Sequence, residues 1–85
     1  MRTFNVDRFL ETFSHSVTEA ARKLDMSMVN IAQVSGIDRH RVSDLLTKKQ
    51  GIPLRMRVAE LVKILEAVEL DSWTILRKCG ESARK

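Results

Sequence analysis

Cysteine is almost absent from this 85-residue sequence, because Cys79 is the only one. A single cysteine excludes an intramolecular disulfide and a cysteine-based zinc site, and it is typical of proteins that fold in a reducing compartment. The sequence also lacks an apolar run approaching the roughly 18 residues that span a bilayer. Its first residues, MRTFNVDRF, lack the apolar core of a signal peptide. We therefore predict a cytoplasmic protein that neither enters a membrane nor is exported.

Glycine, proline and strand patterns are scarce as well, with three glycines, one proline and one short alternating stretch at residues 3–6. Elsewhere apolar residues recur at three- and four-residue steps, which is the spacing of one helix face. We predict one all-α domain over residues 1–85, a compact bundle of about five helices. A short N-terminal extension (1–12) and a polar C-terminal tail (79–85) are expected at its ends.

Capping residues predict where the helices begin. The first apolar pattern, from Phe9 to Leu24, places its apolar side chains in the core and fits either one long helix or two shorter ones. Ser27 is suited to cap a short helix that ends near Gly36, and Asp38 is suited to cap a helix over residues 39–48. A fourth, strongly apolar helix follows Pro53, and a short fifth helix begins near residues 71–72.

Positive charge is concentrated in one part of the chain. The formal net charge is +4, yet residues 39–57 alone hold six basic side chains against one acid, and the other 66 residues hold nine basic and ten acidic ones. Such a cluster is typical of a surface that faces phosphates, although a solvated charged face remains an alternative. Its basic residues are Arg39, Arg41, Lys48, Lys49, Arg55 and Arg57.

Patterns that indicate catalysis are missing from the sequence. It has no glycine-rich phosphate loop, no plausible metal cluster and no evident Ser/His/Asp or Cys/His set. We predict no enzyme activity, no metal and no cofactor.

The most informative stretch is residues 27–46, SMVNIAQVSGIDRHRVSDLL, which contains two short predicted helices joined by a turn of a few residues at Gly36. Ala32, four residues before Gly36, allows the two helices to cross closely. Aliphatic side chains on both helices supply an apolar wedge between them. This spacing is that of a helix-turn-helix.

The same stretch resembles the Cro and phage-repressor family of helix-turn-helix proteins, also called the xenobiotic response element family. The resemblance covers roughly residues 13–76. Its matching positions are Ser27, Ile31-Ala32, Gly36-Ile37, Val42-Ser43, Pro53, residues 61–64 and Ala67-Val68. The sequence departs from the family at Met28, at Leu46, at residues 48–50, and in a longer loop after Pro53.

The resemblance implies a lambda-repressor-like DNA-binding domain in which the second motif helix enters the major groove of double-stranded DNA. The residues it assigns to base edges are Arg39, His40, Ser43 and Asp44. Arginine is well shaped to bind guanine O6 and N7, so Arg39 is expected to recognise a guanine. A solvated role remains open for Arg39 and His40, and Asp44 is more readily explained by pairing with Arg41 or Lys48.

A second set of residues is expected to contact phosphates and fix the register of the protein on the duplex. Its members are Ser27, Met28, Gln33, Arg41, Lys48, Lys49, Arg55 and Arg57.

Regulators of this kind usually bind as dimers, because one small unit recognises only a few base pairs. We expect a homodimer whose interface uses Leu70, Trp73, Ile75 and Leu76. A second candidate surface consists of Phe4, Val6, Phe9 and Leu10.

The function that these observations predict is a sequence-specific transcriptional regulator, a repressor that binds a palindromic operator. The alternative is an antitoxin or anti-regulator whose main partner is a protein. If the basic side chains of residues 39–57 face one way beside Arg39, DNA is favoured; if they scatter, a protein partner is favoured.

Overall fold

Five α-helices follow one another along the chain in the computed structural model, which describes residues 4–47 and 57–84. They are α1 (Val6–Lys23), α2 (Met28–Ser35), α3 (Arg39–Thr47), α4 (Val58–Ala67) and α5 (Ser72–Ala83). No strand occurs within the described residues. The radius of gyration of the Cα atoms is 12.3 Å, close to the roughly 12 Å of a compact chain of this length. The predicted all-helical compact bundle is confirmed.

Helix α1 forms one side of the core, packing against α5 and α3, while α2 packs against α3 and α4. The helix that the sequence marks as most apolar, α4, buries four of its ten residues and ends in the buried Val68. The largest fully buried side chains come from all five helices and the end of α4: Phe13, Val17, Ile31, Val42, Leu45, Ile64, Leu65, Val68 and Cys79.

The N-terminal pattern forms a single long helix, which settles the choice between one helix and two. Asn5 caps it by accepting a hydrogen bond from the Arg8 backbone N–H (3.2 Å). Residues 6–12 therefore belong to the fold, and the predicted extension over residues 1–12 is corrected for this part. Leu24, predicted to face the core, lies at the helix end and is 40% exposed.

The C-terminal prediction also needs correction, because α5 continues through Ala83 where a polar tail was expected from residue 79. Cys79 and Ala83 are fully buried. The Ala83 carbonyl accepts a hydrogen bond from the Asn5 backbone N–H (2.9 Å), and the Thr12 hydroxyl donates to Ser82 (3.0 Å). These contacts fix the end of α5 to the start of α1.

Helices α1 and α4 end in the same backbone arrangement. After α4, the backbone N–H of Leu70 donates to the Leu65 carbonyl, and the backbone N–H of Glu69 donates to the Glu66 carbonyl. These two hydrogen bonds form the Schellman pattern. The residue at the left-handed position is Glu69 (φ 60°), and after α1 it is Asp25 (φ 56°). Glycine is favoured at this position, so both helix ends carry local strain.

No helix among the described residues combines the length and the apolar character that crossing a membrane requires.

Candidate nucleic-acid interface

Helices α2 and α3 form a closely joined pair, separated by only residues 36–38. Ser27 and Asn30 cap α2 reciprocally: the Ser27 N–H donates to Asn30 Oδ1 (2.9 Å), and the Asn30 N–H donates to Ser27 Oγ (3.2 Å). Gly36 closes the helix with φ +75°, and its N–H donates to the Ala32 carbonyl (2.9 Å). The left-handed conformation at Gly36 turns the chain sharply into α3.

One side of helix α3 packs against the core. Val42, Leu45 and Leu46 are buried. The Ser14 hydroxyl of α1 donates a hydrogen bond to the Leu46 carbonyl, which anchors the C-terminal end of α3. The position and rotation of α3 are therefore set by packing against α1 and α2.

The opposite side of α3 carries the four residues predicted to contact bases. Successive residues are about 100° apart around a helix, which places His40 and Asp44 opposite the buried side and Arg39 and Ser43 at its edge. Arg39 and His40 are exposed, whereas Ser43 and Asp44 are half-buried. The structure thus brings all four onto the accessible side of one helix, with the two most exposed at its N-terminal end.

Asp38 caps α3, since its Oδ1 accepts a hydrogen bond from the His40 backbone N–H (2.8 Å). The same oxygen lies 3.6 Å from His40 Nδ1, and both side chains are largely exposed. An acidic side chain consequently sits beside the predicted base contacts. Its negative charge opposes the close approach of an unpaired phosphate.

Arg41, which the sequence suggested as a phosphate contact, is paired with an acidic side chain of the same chain. Its Nε and Nη2 donate to the Glu60 carboxylate at 3.0–3.3 Å, and the two side chains are only 23% and 22% exposed. This bidentate pair joins α3 to the first turn of α4. The structure therefore makes Arg41 a link between helices. Asp44 forms no ion pair with Arg41.

Arg57 lies at the N-cap of α4, three residues before Glu60, and is exposed. Because Glu60 is bound to Arg41, this end of α4 lies beside α3. Arg57 is consequently available to a ligand that approaches α3. Three other predicted phosphate contacts, Lys48, Lys49 and Arg55, lie outside the described residues.

The phosphate contacts predicted on α2 are all exposed. Ser27 already uses its hydroxyl in the cap of α2, Met28 is 40% exposed, and Gln33 is exposed near the other end of the helix. Backbone amides in the first turn of a helix lack intrahelical acceptors, so the start of α2 offers donors to an anion.

The predicted dimer residues divide into two groups. Leu70, Ile75 and Leu76 are half-buried and pack against the core, whereas Trp73 is 75% exposed. In the second candidate surface Leu10 is 3% exposed and Phe9 packs against the core. That surface is reduced to Phe4 and Val6, and the assignment of Leu10 to it is corrected because the side chain is buried.

Two residues of the site were not predicted from the sequence: Glu60 as the partner of Arg41, and Asn30 as half of a capping box. A helix-start pattern of serine followed three residues later by a side chain that can accept a hydrogen bond would have indicated Asn30.

Among the described residues, no group of three or more His, Cys, Asp or Glu side chains is placed to hold a metal ion. Comparisons with protein-family models, with curated proteins and with solved structures find no match for this chain.

Proposed function

We propose that this protein is a sequence-specific double-stranded DNA-binding regulator of transcription, with α2 and α3 acting as a helix-turn-helix. The observation that carries the proposal is the exposed pair Arg39 and His40 at the N-terminal end of α3. That helix is held on α2 across the three-residue turn at Gly36. A helix presented in this way fits the major groove, which is about 12 Å wide.

In this function α3 recognises bases and its surroundings hold the DNA backbone. Arg39 binds a guanine edge, and His40, Ser43 and Asp44 contact neighbouring bases. Arg57 and the first turn of α2 contact phosphates, together with Lys48, Lys49 and Arg55. Arg41 contributes by fixing α3 against α4.

The regulator is a repressor that binds a palindromic operator as a homodimer. Two copies related by a two-fold axis occupy half-sites about 10 base pairs apart, so that each α3 enters the major groove on the same side of the duplex. Neither copy needs to recognise more than a few base pairs.

Enrichment of bound molecules from random-sequence duplex DNA, repeated at several salt concentrations, tests this function. A two-fold symmetric motif is expected, with affinity that falls steeply as salt rises because phosphate contacts release counterions. Binding that is feeble, shows no motif and does not depend on salt would contradict the proposal.

A protein partner is the second candidate, as in an antitoxin or anti-regulator. It is favoured by exposed aliphatic side chains: Val34 on α2 is 65% exposed and Val58 at the start of α4 is 66% exposed. It is also favoured by the acidic Asp38 beside the base-contact residues. The absence of any enriched DNA motif would favour a protein partner.

A further inference from the structure

One face of α5 is left uncovered by the other described helices. Its residues recur at steps of three and four, so they form a single stripe along the helix. They enclose a shallow groove of about 370 Å³, all of whose lining comes from α5 and the residue that follows it. The lining residues are Trp73, Leu76, Arg77, Gly80, Glu81 and Arg84.

Gly80 opens this groove by contributing no side chain in the middle of α5. Its φ is not positive, and a Cβ atom added to it would meet nothing within 4 Å. The folded chain by itself therefore does not require glycine here, and alanine is the better helix former. Glycine at such a position is typical of a surface that another group approaches closely.

Trp73 stands on the same stripe and is 75% exposed. It precedes Gly80 by seven residues, which corresponds to about 10.5 Å along the helix. An exposed tryptophan of this kind marks a contact surface, because its large ring stabilises most when it is buried against a partner. One helix face thus carries both a projecting ring and a groove that lacks a side chain.

We infer that α5 pairs antiparallel with α5 of a second copy of this chain, so that each Trp73 ring enters the partner's groove at Gly80. A two-fold axis between Leu76 and Arg77 produces both contacts at once, because residue 73 then lies opposite residue 80 in each direction. The surface is complementary to itself. Leu76 and Arg77 lie one turn before Gly80 and Arg84 one turn after it, so the arginines flank the incoming ring and can bind its face.

The charges at the two ends of α5 select the antiparallel arrangement. Glu69 and Asp71 precede the helix, Arg84 follows it, and Glu81 lies one turn before Arg84. Antiparallel pairing sets the acidic residues that precede α5 in one copy beside Arg84 of the other, whereas parallel pairing sets these acidic residues beside each other and Arg84 beside Arg84. Within the described part of the chain, no ion pair involves Arg77 or Arg84.

The predicted dimer interface is thereby changed in part. Trp73 and Leu76 remain in it, although Leu76 also packs against the core of its own copy; Gly80, Arg77 and Arg84 join it, and Leu70 and Ile75 serve only the core. A helix of 12 residues is about 18 Å long, so contact along one face is smaller than a standard interface. The dimer is consequently weak and concentration-dependent on its own.

The inference deepens the dimer part of the proposed function, and it is tested without DNA so that the two can fail separately. Trp73 is the only tryptophan, so its fluorescence reports directly on burial. Sedimentation velocity and tryptophan emission are recorded from about 1 μM to about 1 mM protein, the range in which a weak dimer dissociates. The expected result is a monomer–dimer equilibrium with a blue shift in emission as concentration rises.

Gly80→Leu fills the groove and is expected to raise the dimer dissociation constant at least about tenfold, with emission that stays that of an exposed ring. Gly80→Ala should weaken the dimer less and still fold, so the test does not depend on the larger substitution. Lys78→Ala, an exposed change elsewhere on α5, is the matched control and should dimerise like the wild type. Circular dichroism checks that each variant is helical.

A wild-type chain that sediments as a monomer throughout the range would overturn the inference, as would a dimer that both Gly80 variants leave unchanged. Either outcome leaves the DNA-binding proposal standing, because that proposal is measured by motif enrichment and depends on α3. An enriched DNA motif without a dimer in solution would therefore contradict only the dimer inference. A dimer without an enriched motif would contradict only the DNA-binding proposal.

Discussion

Removing the ion pair between Arg41 and Glu60 is expected to destabilise the fold and to weaken DNA binding, although neither residue belongs to the base-contact set. The change is Glu60→Gln, which keeps the size of the side chain and removes its charge. In the wild type, Nε and Nη2 of Arg41 both donate to the carboxylate, and the pair is 22–23% exposed. The substitution leaves a partly shielded guanidinium without its anion.

The expected magnitude lies between two measured limits. Fully exposed ion pairs contribute about 0–1 kcal/mol, and breaking a fully buried pair costs about 3–5 kcal/mol. A bidentate pair about one-fifth exposed should therefore contribute about 1.5 kcal/mol to the free energy of unfolding. For a domain of this size, that loss lowers the Tm by about 6–12 °C.

The assay is thermal unfolding of Glu60→Gln, Arg41→Ala and the double variant, which together form a double-mutant cycle. The coupling energy should be about 1 kcal/mol or more at low salt and should shrink near about 1 M salt, where the charges are screened. A coupling energy indistinguishable from zero would refute the structural role of the pair.

DNA binding separates this role from the phosphate contact suggested by the sequence. If Arg41 contacts phosphate, Glu60→Gln frees it and should leave affinity unchanged or raise it. If Arg41 positions α3, Glu60→Gln and Arg41→Ala should both lower affinity, and Arg41→Ala should not reduce the salt dependence by the about one unit that a lost phosphate contact produces.

The remaining predictions concern two helix ends and the buried thiol. Glu69→Gly should raise the free energy of unfolding by about 1 kcal/mol in chemical denaturation because glycine relieves the left-handed strain, and Glu69→Ala should not. Ser27→Ala should lower it by about 1 kcal/mol through loss of the α2 cap. Burial raises the pKa of the Cys79 thiol to about 11, so the native protein should resist thiol reagents near pH 8. Because this pKa exceeds the unfolded value of 9.0, stability should fall as pH rises from about 9 to about 11, and Cys79→Ala should lessen that fall.

The helices with clear local signals could be predicted from the sequence. Serine before α2, Gly36 after it and Asp38 before α3 are capping residues that act within one turn, so they fix boundaries without help from the rest of the fold. The observed bounds of α2 and α3 agree with those signals to within one residue. The burial of Val42 and Leu45 follows from helical periodicity alone.

The predicted polar tail at the C-terminal end was wrong because glycine has two possible roles. Gly36 adopts a positive φ and ends a helix, whereas Gly80 lies within one. Their local sequences do not distinguish the two, and the difference depends on Cys79 and Ala83 packing into the core. Similarly, the choice between one N-terminal helix and two depends on the core, because Val17 is buried in the middle of α1.

For the candidate site, the sequence predicted which side chains of α3 are exposed, but it did not predict which side chains contact one another. Periodicity places Arg39 and His40 on the outside of α3, and the structure agrees. The partner of Arg41 could not be predicted, because Glu60 is 19 residues away and the two meet only when α3 and α4 both pack on α2. Trp73 and Gly80 could not be placed on one helix face from the sequence either, because the predicted fifth helix was short and α5 continues through both residues.

The central claim, that the N-terminal end of α3 recognises bases, is tested most directly by measuring how Arg39→Ala changes affinity for every single-base variant of the enriched motif. The matched control is Lys63→Ala, which removes one exposed positive charge from α4. Arg39→Ala should lose about 1–3 kcal/mol and relax discrimination at one guanine position, with the other positions unchanged. A uniform loss over all positions, or a loss no larger than that of Lys63→Ala, would contradict the assignment of α3 as the recognition helix.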